Sequence, residues 1–153
     1  MRILIFASSE FSIPLLETIY KSDHEILAVY TQPPSISGRG LKINHSPIGI
    51  KCKKLNLKLF HPFNVNEKKE IKKLLRLKID IAIVSAYGQL LSAEILEVPR
   101  FGFLNLHPSL LPRWRGAAPI ERAIIEGDKI SGVCIIRMVK ELDAGPILAT
   151  ERV

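Results

Sequence analysis

The sequence predicts one α/β domain built on a mostly parallel sheet flanked by helices, and three observations predict it. Short apolar runs alternate along the chain with stretches of helical periodicity, a pattern that neither a helix bundle nor a β-sandwich produces. The most apolar of these runs, Ile81-Ala82-Ile83-Val84, has no polar alternation, as expected of a parallel strand covered on both faces. At 153 residues and 47% apolar content, the chain can bury roughly 68–70% of its unfolded surface, yet it is too short for two domains of ordinary size.

Residues 2–7 form the first expected strand. Phe11, Leu15, Leu16 and Ile19 then mark one face of a helix, with Ser12 able to cap it and Pro14 tolerated in its first turn. Residues 25–31 make a second strand closed by Gln32-Pro33-Pro34, and the polar, glycine-punctuated stretch 35–42 reads as a surface loop. A helix near 47–55 and a short strand at 58–61 follow. The next helix, over about 66–77, is lysine-rich and shows a narrow apolar stripe of Ile71, Leu74 and Leu75. Residues 79–86 and 101–107 are further strands. A helix over 118–126 has Pro119 near its start and Gly127 just past its end, where helices commonly stop on glycine. Strands at 132–138 and 146–153 close the pattern, and no internal repeat is visible.

The net charge of +7 is concentrated in one place: residues 51–78 carry ten basic side chains against Glu67 and Glu70, while the remainder holds 12 basic and 13 acidic. A lysine-rich solvated face explains that run as well as a nucleic-acid partner does. The early apolar run Ile3-Leu4-Ile5-Phe6-Ala7 is far shorter than the ~20 residues of a membrane span and too short for a signal-peptide core, so a cytoplasmic protein without a membrane partner is expected. Cys52 and Cys134 are isolated from each other and from histidines at ligand spacing, which argues for two buried, reduced thiols and against a zinc site or disulfide framework.

Open α/β sheets bind ligands beyond the carboxyl ends of their strands. The first such turn, Ala7-Ser8-Ser9-Glu10, lacks the glycine spacing of a dinucleotide site, and no phosphate-binding P-loop occurs. The strand 101–107 is more informative. Strand side chains alternate faces, so Asn105 and His107 share one face while Leu104 and Leu106 share the other. An amide and an imidazole side by side can both donate to one developing oxyanion, which suits acyl or formyl transfer. As plain strand-end polar residues they would instead cap the following turn. Asp143, between two late strands, can reach His107 if the strands end on one rim; there it would hold the imidazole protonated and take a proton from an amine through water. A simple Asx turn is equally natural at that position. Ser109 follows a proline and lacks a nucleophile-elbow context, which argues against a serine nucleophile.

The block Asn105-Leu106-His107-Pro108-Ser109-Leu110-Leu111-Pro112-Arg113-Trp114-Arg115-Gly116-Ala117-Ala118-Pro119-Ile120 resembles the signature of the methionyl-tRNA formyltransferases. Thr31-Gln32-Pro33, Gly38-Arg39-Gly40, Ala86-Tyr87-Gly88-Gln89 and Leu142-Asp143 extend the resemblance along the whole chain. It implies a Rossmann-like formyltransferase fold and transfer of a formyl group from 10-formyltetrahydrofolate to the amino group of methionine on initiator tRNA, without a metal. By similarity Asn105, His107 and Asp143 are the catalytic trio. Ser109, Leu110, Leu111 and Pro112 match a folate-binding loop, assisted by Tyr87 and Gly88. Arg39 and Lys42 lie in a loop like the one that approaches the tRNA acceptor end, and Arg113 and Arg115 suit an anionic substrate.

The chain departs from that family in three places. Its opening turn Ser8-Ser9-Glu10-Phe11 lacks the usual glycine and proline. Glu141 stands where the family favours glycine, and it would strain the acid loop by ~1 kcal/mol or more if that position is left-handed. Family members also continue into the remaining formyltransferase elements and a β-rich tRNA-binding domain. Residues 1–153 are therefore expected to be an incomplete N-terminal catalytic domain, monomeric and weakly stable, with an open sheet edge. Two other readings remain: a non-catalytic remnant of such an enzyme, and a formyltransferase acting on a small amine.

Overall fold

The computed structural model describes residues 1–37 and 42–153. Its core is a seven-stranded sheet in the order β5-β2-β1-β6-β7-β8-β9. The strands are β1 (Arg2–Ala7), β2 (Glu25–Tyr30), β5 (Leu59–Phe60), β6 (Ile81–Ser85), β7 (Phe103–His107), β8 (Gly132–Arg137) and β9 (Ile147–Arg152). The pairings from β5 to β7 are parallel; β8 runs antiparallel to β7, and β9 antiparallel to β8. The expected mostly parallel α/β architecture is thus present, with an antiparallel pair on one side. Residues 35–42, expected as a loop, instead contribute two short antiparallel strands, β3 (Ser35–Ser37) and β4 (Lys42–Asn44).

Period-2 alternation divides the sheet into two apolar faces. Ile3, Ile5, Ala7 and Val29 pack on one side with Leu16 and Ile19 of α1 (Ile13–Tyr20) and with Ile48 and Cys52 of α2 (Pro47–Lys54). Leu4, Phe6, Ala28, Tyr30, Ala82, Val84 and Phe103 pack on the other, against Ile71 and Leu74 of α3 (Lys68–Arg76) and Ile95 of the single-turn α4 (Ala93–Leu96). The Phe6 ring is the hub of the second face, with centroids 5.0 Å from Tyr30, 5.2 Å from Tyr87 and 5.5 Å from Phe103. Contacts of this kind contribute about 0.5–1.5 kcal/mol each beyond area burial. Among the described residues, no helix is long and apolar enough to cross a membrane.

Two side chains behave differently from their sequence expectations. Ser12 does not cap α1; its hydroxyl donates to the Ser85 carbonyl at 2.7 Å and so ties the helix start to β6. On α3 the inward stripe contains Glu70, 3% exposed, whereas Leu75 is 61% exposed. Glu70 can be buried because Lys73, one turn on, donates to it at 2.7 Å. Both cysteines are free and buried, as expected.

Candidate active site

The turn after β6 forms one wall of the site. Ala86 has φ 46 and Gly88 φ 89, two left-handed residues that turn the chain sharply around Tyr87. The Tyr87 carbonyl accepts from Ser8 Oγ at 2.9 Å and from Gln32 Nε2 at 3.1 Å, so the altered opening turn and the Thr31-Gln32-Pro33 motif brace this wall from behind. Gln89 fastens its far end, accepting from Val65 N at 2.9 Å and donating to the Pro62 carbonyl at 3.0 Å.

β7 supplies the opposite groups. Asn105 and His107 share a face, as the alternation requires, and both line a cavity of about 560 Å³ together with Val84, Tyr87, Met138 and Asp143. Asp143 gets there by a route different from the expected common rim. Because β8 is antiparallel to β7, it ends beside Leu104, at the start of β7. The chain then folds back over the sheet face through residues 138–146, and two features make that return possible. Asp143 itself adopts φ 46, so the left-handed residue of the loop is the acid and not Glu141, whose expected strain is absent. Gly145 passes so close to β8 that a Cβ there would lie 1.7 Å from the Arg137 carbonyl oxygen.

The side chains of His107 and Asp143 are 5% and 8% exposed. Asp143 Oδ1 accepts from Asn105 Nδ2 at 3.1 Å, and Oδ2 accepts from the Gly116 N–H at 2.8 Å. His107 Nδ1 faces Oδ2 at 3.6 Å, too long for a hydrogen bond in this state. The other ring nitrogen, Nε2, lies 2.9 Å from the Trp114 carbonyl oxygen. A buried carboxylate thus spans an amide and an imidazole, and all three border a cavity whose remaining walls are largely apolar.

The other sequence-predicted residues are placed as follows. Tyr87 and Gly88 line the cavity, as do Pro108 and residues 116–119. Ser109, Leu110, Leu111 and Pro112 do not line it: the Ser109 hydroxyl is turned inward to the Arg113 carbonyl at 2.7 Å, and Leu110 abuts Gly132. Arg113 is engaged by Asp128 through a bidentate pair. Arg115 is exposed. Arg39 lies outside the described residues, and of Lys42 only the backbone, in β4, is described. Sequence reasoning missed three contributors: Gln32, which holds the Tyr87 carbonyl, and Trp114 and Gly116, which present backbone groups to His107 and Asp143. Gly116, at φ 85 inside the Arg-Trp-Arg-Gly block, is the one a turn signal could have revealed.

The sequence pattern that defines the formyl transferase family matches residues 1–153. Methionyl-tRNA formyltransferases of Roseobacter denitrificans and Jannaschia sp. are each 45% identical to the chain, over 100% and 97% of its length and 50% and 49% of theirs. The chain therefore spans about half the length of the curated relatives it matches. A phosphoribosylglycinamide formyltransferase from Bacillus halodurans superposes with a TM-score of 0.78 at 24% identity, covering 100% of this chain and 79% of that one, which shows a common fold.

Proposed function

The chain belongs to the formyl transferase family, and from that premise we propose that residues 1–153 act as the catalytic domain of a methionyl-tRNA formyltransferase. The reaction is transfer of a formyl group from 10-formyltetrahydrofolate to the amino group of methionine on initiator tRNA. The observation that carries this reading is the meeting of Asn105, His107 and Asp143 at one cavity. The relatives' names, at 45% identity, support the acceptor.

The cavity fits the donor. Its volume of about 560 Å³ lies within the ordinary range for small-ligand sites. Apolar walls from Val84, Leu91, Leu96 and Met138, beside the polar trio Asn105, His107 and Asp143, suit a flat heteroaromatic ring that carries a reactive substituent. Tyr87 and Gly88 would hold that ring, while Ser109, Leu110, Leu111 and Pro112 stand off the cavity in the turn that Ser109 and Leu110 bond to Arg113. When bound, the donor supplies the formyl carbonyl.

The chain's own groups then have distinct tasks. Asn105 uses one amide hydrogen on Asp143 and keeps the second for the carbonyl oxygen as negative charge develops there. His107 Nδ1, when protonated, donates to the same oxygen. Asp143, fixed by the Gly116 N–H, stabilises the imidazolium, takes the proton released by the attacking amine through a water, and returns it to the departing tetrahydrofolate nitrogen as the bond from that nitrogen to the formyl carbon breaks. Arg39 and Lys42 contact phosphates near the acceptor end. The domain works as a cytoplasmic monomer.

Incubating the purified chain with 10-formyltetrahydrofolate, methionyl initiator tRNA and, in competition, glycinamide ribonucleotide tests the proposal. Formylmethionyl-tRNA is the expected product. Formylation of the small amine alone would move the acceptor, and a folded chain inert toward both would identify a non-catalytic remnant.

A further inference from the structure

Asp128 does not line the cavity, yet its contacts lead to His107. The helix α5 (Pro119–Ile125) ends in a Schellman turn: Gly127 has φ 68, its N–H reaches the Ile124 carbonyl at 3.1 Å, and the Asp128 N–H reaches the Ala123 carbonyl at 2.9 Å. This fixes the backbone of Asp128 relative to the helix. Its carboxylate, in a side chain 17% exposed, accepts from Arg113 Nε and Nη2 at 2.8 Å each and from Trp114 Nε1 at 2.7 Å. The Arg113 guanidinium also lies 4.2 Å from the centre of the Trp114 ring.

Trp114 needs such a restraint. Its φ of 62 is a left-handed conformation that a bulky residue rarely adopts. That conformation aims its carbonyl at His107 Nε2, 2.9 Å away. A carbonyl oxygen only accepts, so Nε2 carries the hydrogen. The neutral imidazole is then the Nε2–H tautomer, and the lone pair sits on Nδ1, the atom that faces Asp143.

We propose that Asp128 is a positioning residue: by clamping Arg113 and Trp114 it holds the Trp114 carbonyl where it fixes the His107 tautomer and presents Nδ1 to the reacting groups. The catalytic value of that tautomer rests on the formyl-transfer reading; the tautomer itself does not.

The test is ¹⁵N NMR of histidine-labelled protein, raised in pH until the ring nitrogen shifts stop changing so that the rings are neutral. The four histidines are His24, His45, His61 and His107, and His107→Gln assigns the relevant signals by their loss. The unaltered chain should show His107 as a single Nε2–H tautomer. In Asp128→Asn, and separately in Arg113→Lys, that signature should give way to averaged nitrogen shifts from both tautomers, with the other three histidines unmoved and circular dichroism unchanged. If Asp128→Asn does not fold, Arg113→Lys decides alone. A folded variant that keeps the single Nε2–H signature overturns the proposal, as does an Nδ1–H tautomer in the unaltered chain. Because the readout needs no turnover, the expected tautomer in a chain without formyl transfer would defeat the functional reading and leave this one standing.

Discussion

The side-chain amide of Asn105 donates to Asp143 across 3.1 Å, joining residues 38 positions apart. The contact leaves one amide hydrogen for a ligand, so Asn105→Ala should lower kcat by ~10²–10³-fold, the loss expected when an oxyanion donor is removed. His107→Ala should cost ~10²–10⁴-fold. Since both act on one developing charge, the double variant should fall well short of the product of the two losses. Single-turnover formylation assays check this, and multiplicative losses would assign the two residues to separate steps.

Gly145 is the hinge of the acid loop, with the Arg137 carbonyl where a Cβ would have to go. Gly145→Ala should force the backbone away from β8, destabilising the chain by about 1–3 kcal/mol in urea unfolding. It should also displace Asp143, two residues back, so the activity loss should exceed the fraction unfolded. Unchanged kcat in a destabilised variant would show that the loop tolerates the shift.

Asp128 has a carboxyl held down to about 2 by Arg113 and then by the Trp114 indole N–H. A depressed carboxyl stabilises the fold fully above its unfolded value, near 4, and loses that contribution as pH falls toward 2. The stability difference between the unaltered chain and Asp128→Asn should therefore be constant from pH 7 to about 5 and shrink below pH 4. Urea titrations followed by Trp114 fluorescence measure it, and a difference that grows on acidification would contradict the cause given.

Glu70 and Lys73 should respond unequally to substitution. Glu70 is 3% exposed, whereas the Lys73 side chain is 47% exposed. Lys73→Met leaves a buried carboxylate without its cation and should cost roughly 3 kcal/mol. Glu70→Leu releases a lysine that can reach water but leaves the buried Tyr30 hydroxyl without its acceptor, and should cost only about 1 kcal/mol. Paired urea unfolding curves test the asymmetry, which equal losses would abolish.

Burial raises the Cys52 thiol to about 11, so almost no thiolate exists at neutral pH. A thiol reagent at pH 8 should label Cys52 only after denaturant is added. Rapid labelling of the native chain would show that α2 opens locally.

Much of this was legible in the sequence wherever the signal is local. The unbroken run at Ile81-Ala82-Ile83-Val84 became the central strand β6, and period-2 alternation alone placed Asn105 and His107 on one face. Leu75 was misplaced because on a helix crowded with lysines its apolar character competes with the pairing of Glu70 and Lys73, and only the tertiary setting beside Tyr30 decides between them. The single-turn α4 has too few residues to show a period. The path of Asp143 was hidden for a different reason: nothing local in Gly132–Arg137 records that this strand runs against its neighbour. The role of Asp128 was equally invisible, since its partners Arg113 and Trp114 are brought to it by the end of α5.

The antiparallel return through β8 has a consequence for how the protein matures. Asn105 and Asp143 meet only when β8 lies along β7 and the chain turns back at Gly145 against Arg137. The parallel strands β1, β2, β5, β6 and β7 alone supply neither the acid nor the Ile136 and Met138 side of the cavity. Competence for chemistry thus waits on the antiparallel half of the sheet as well as on the parallel half.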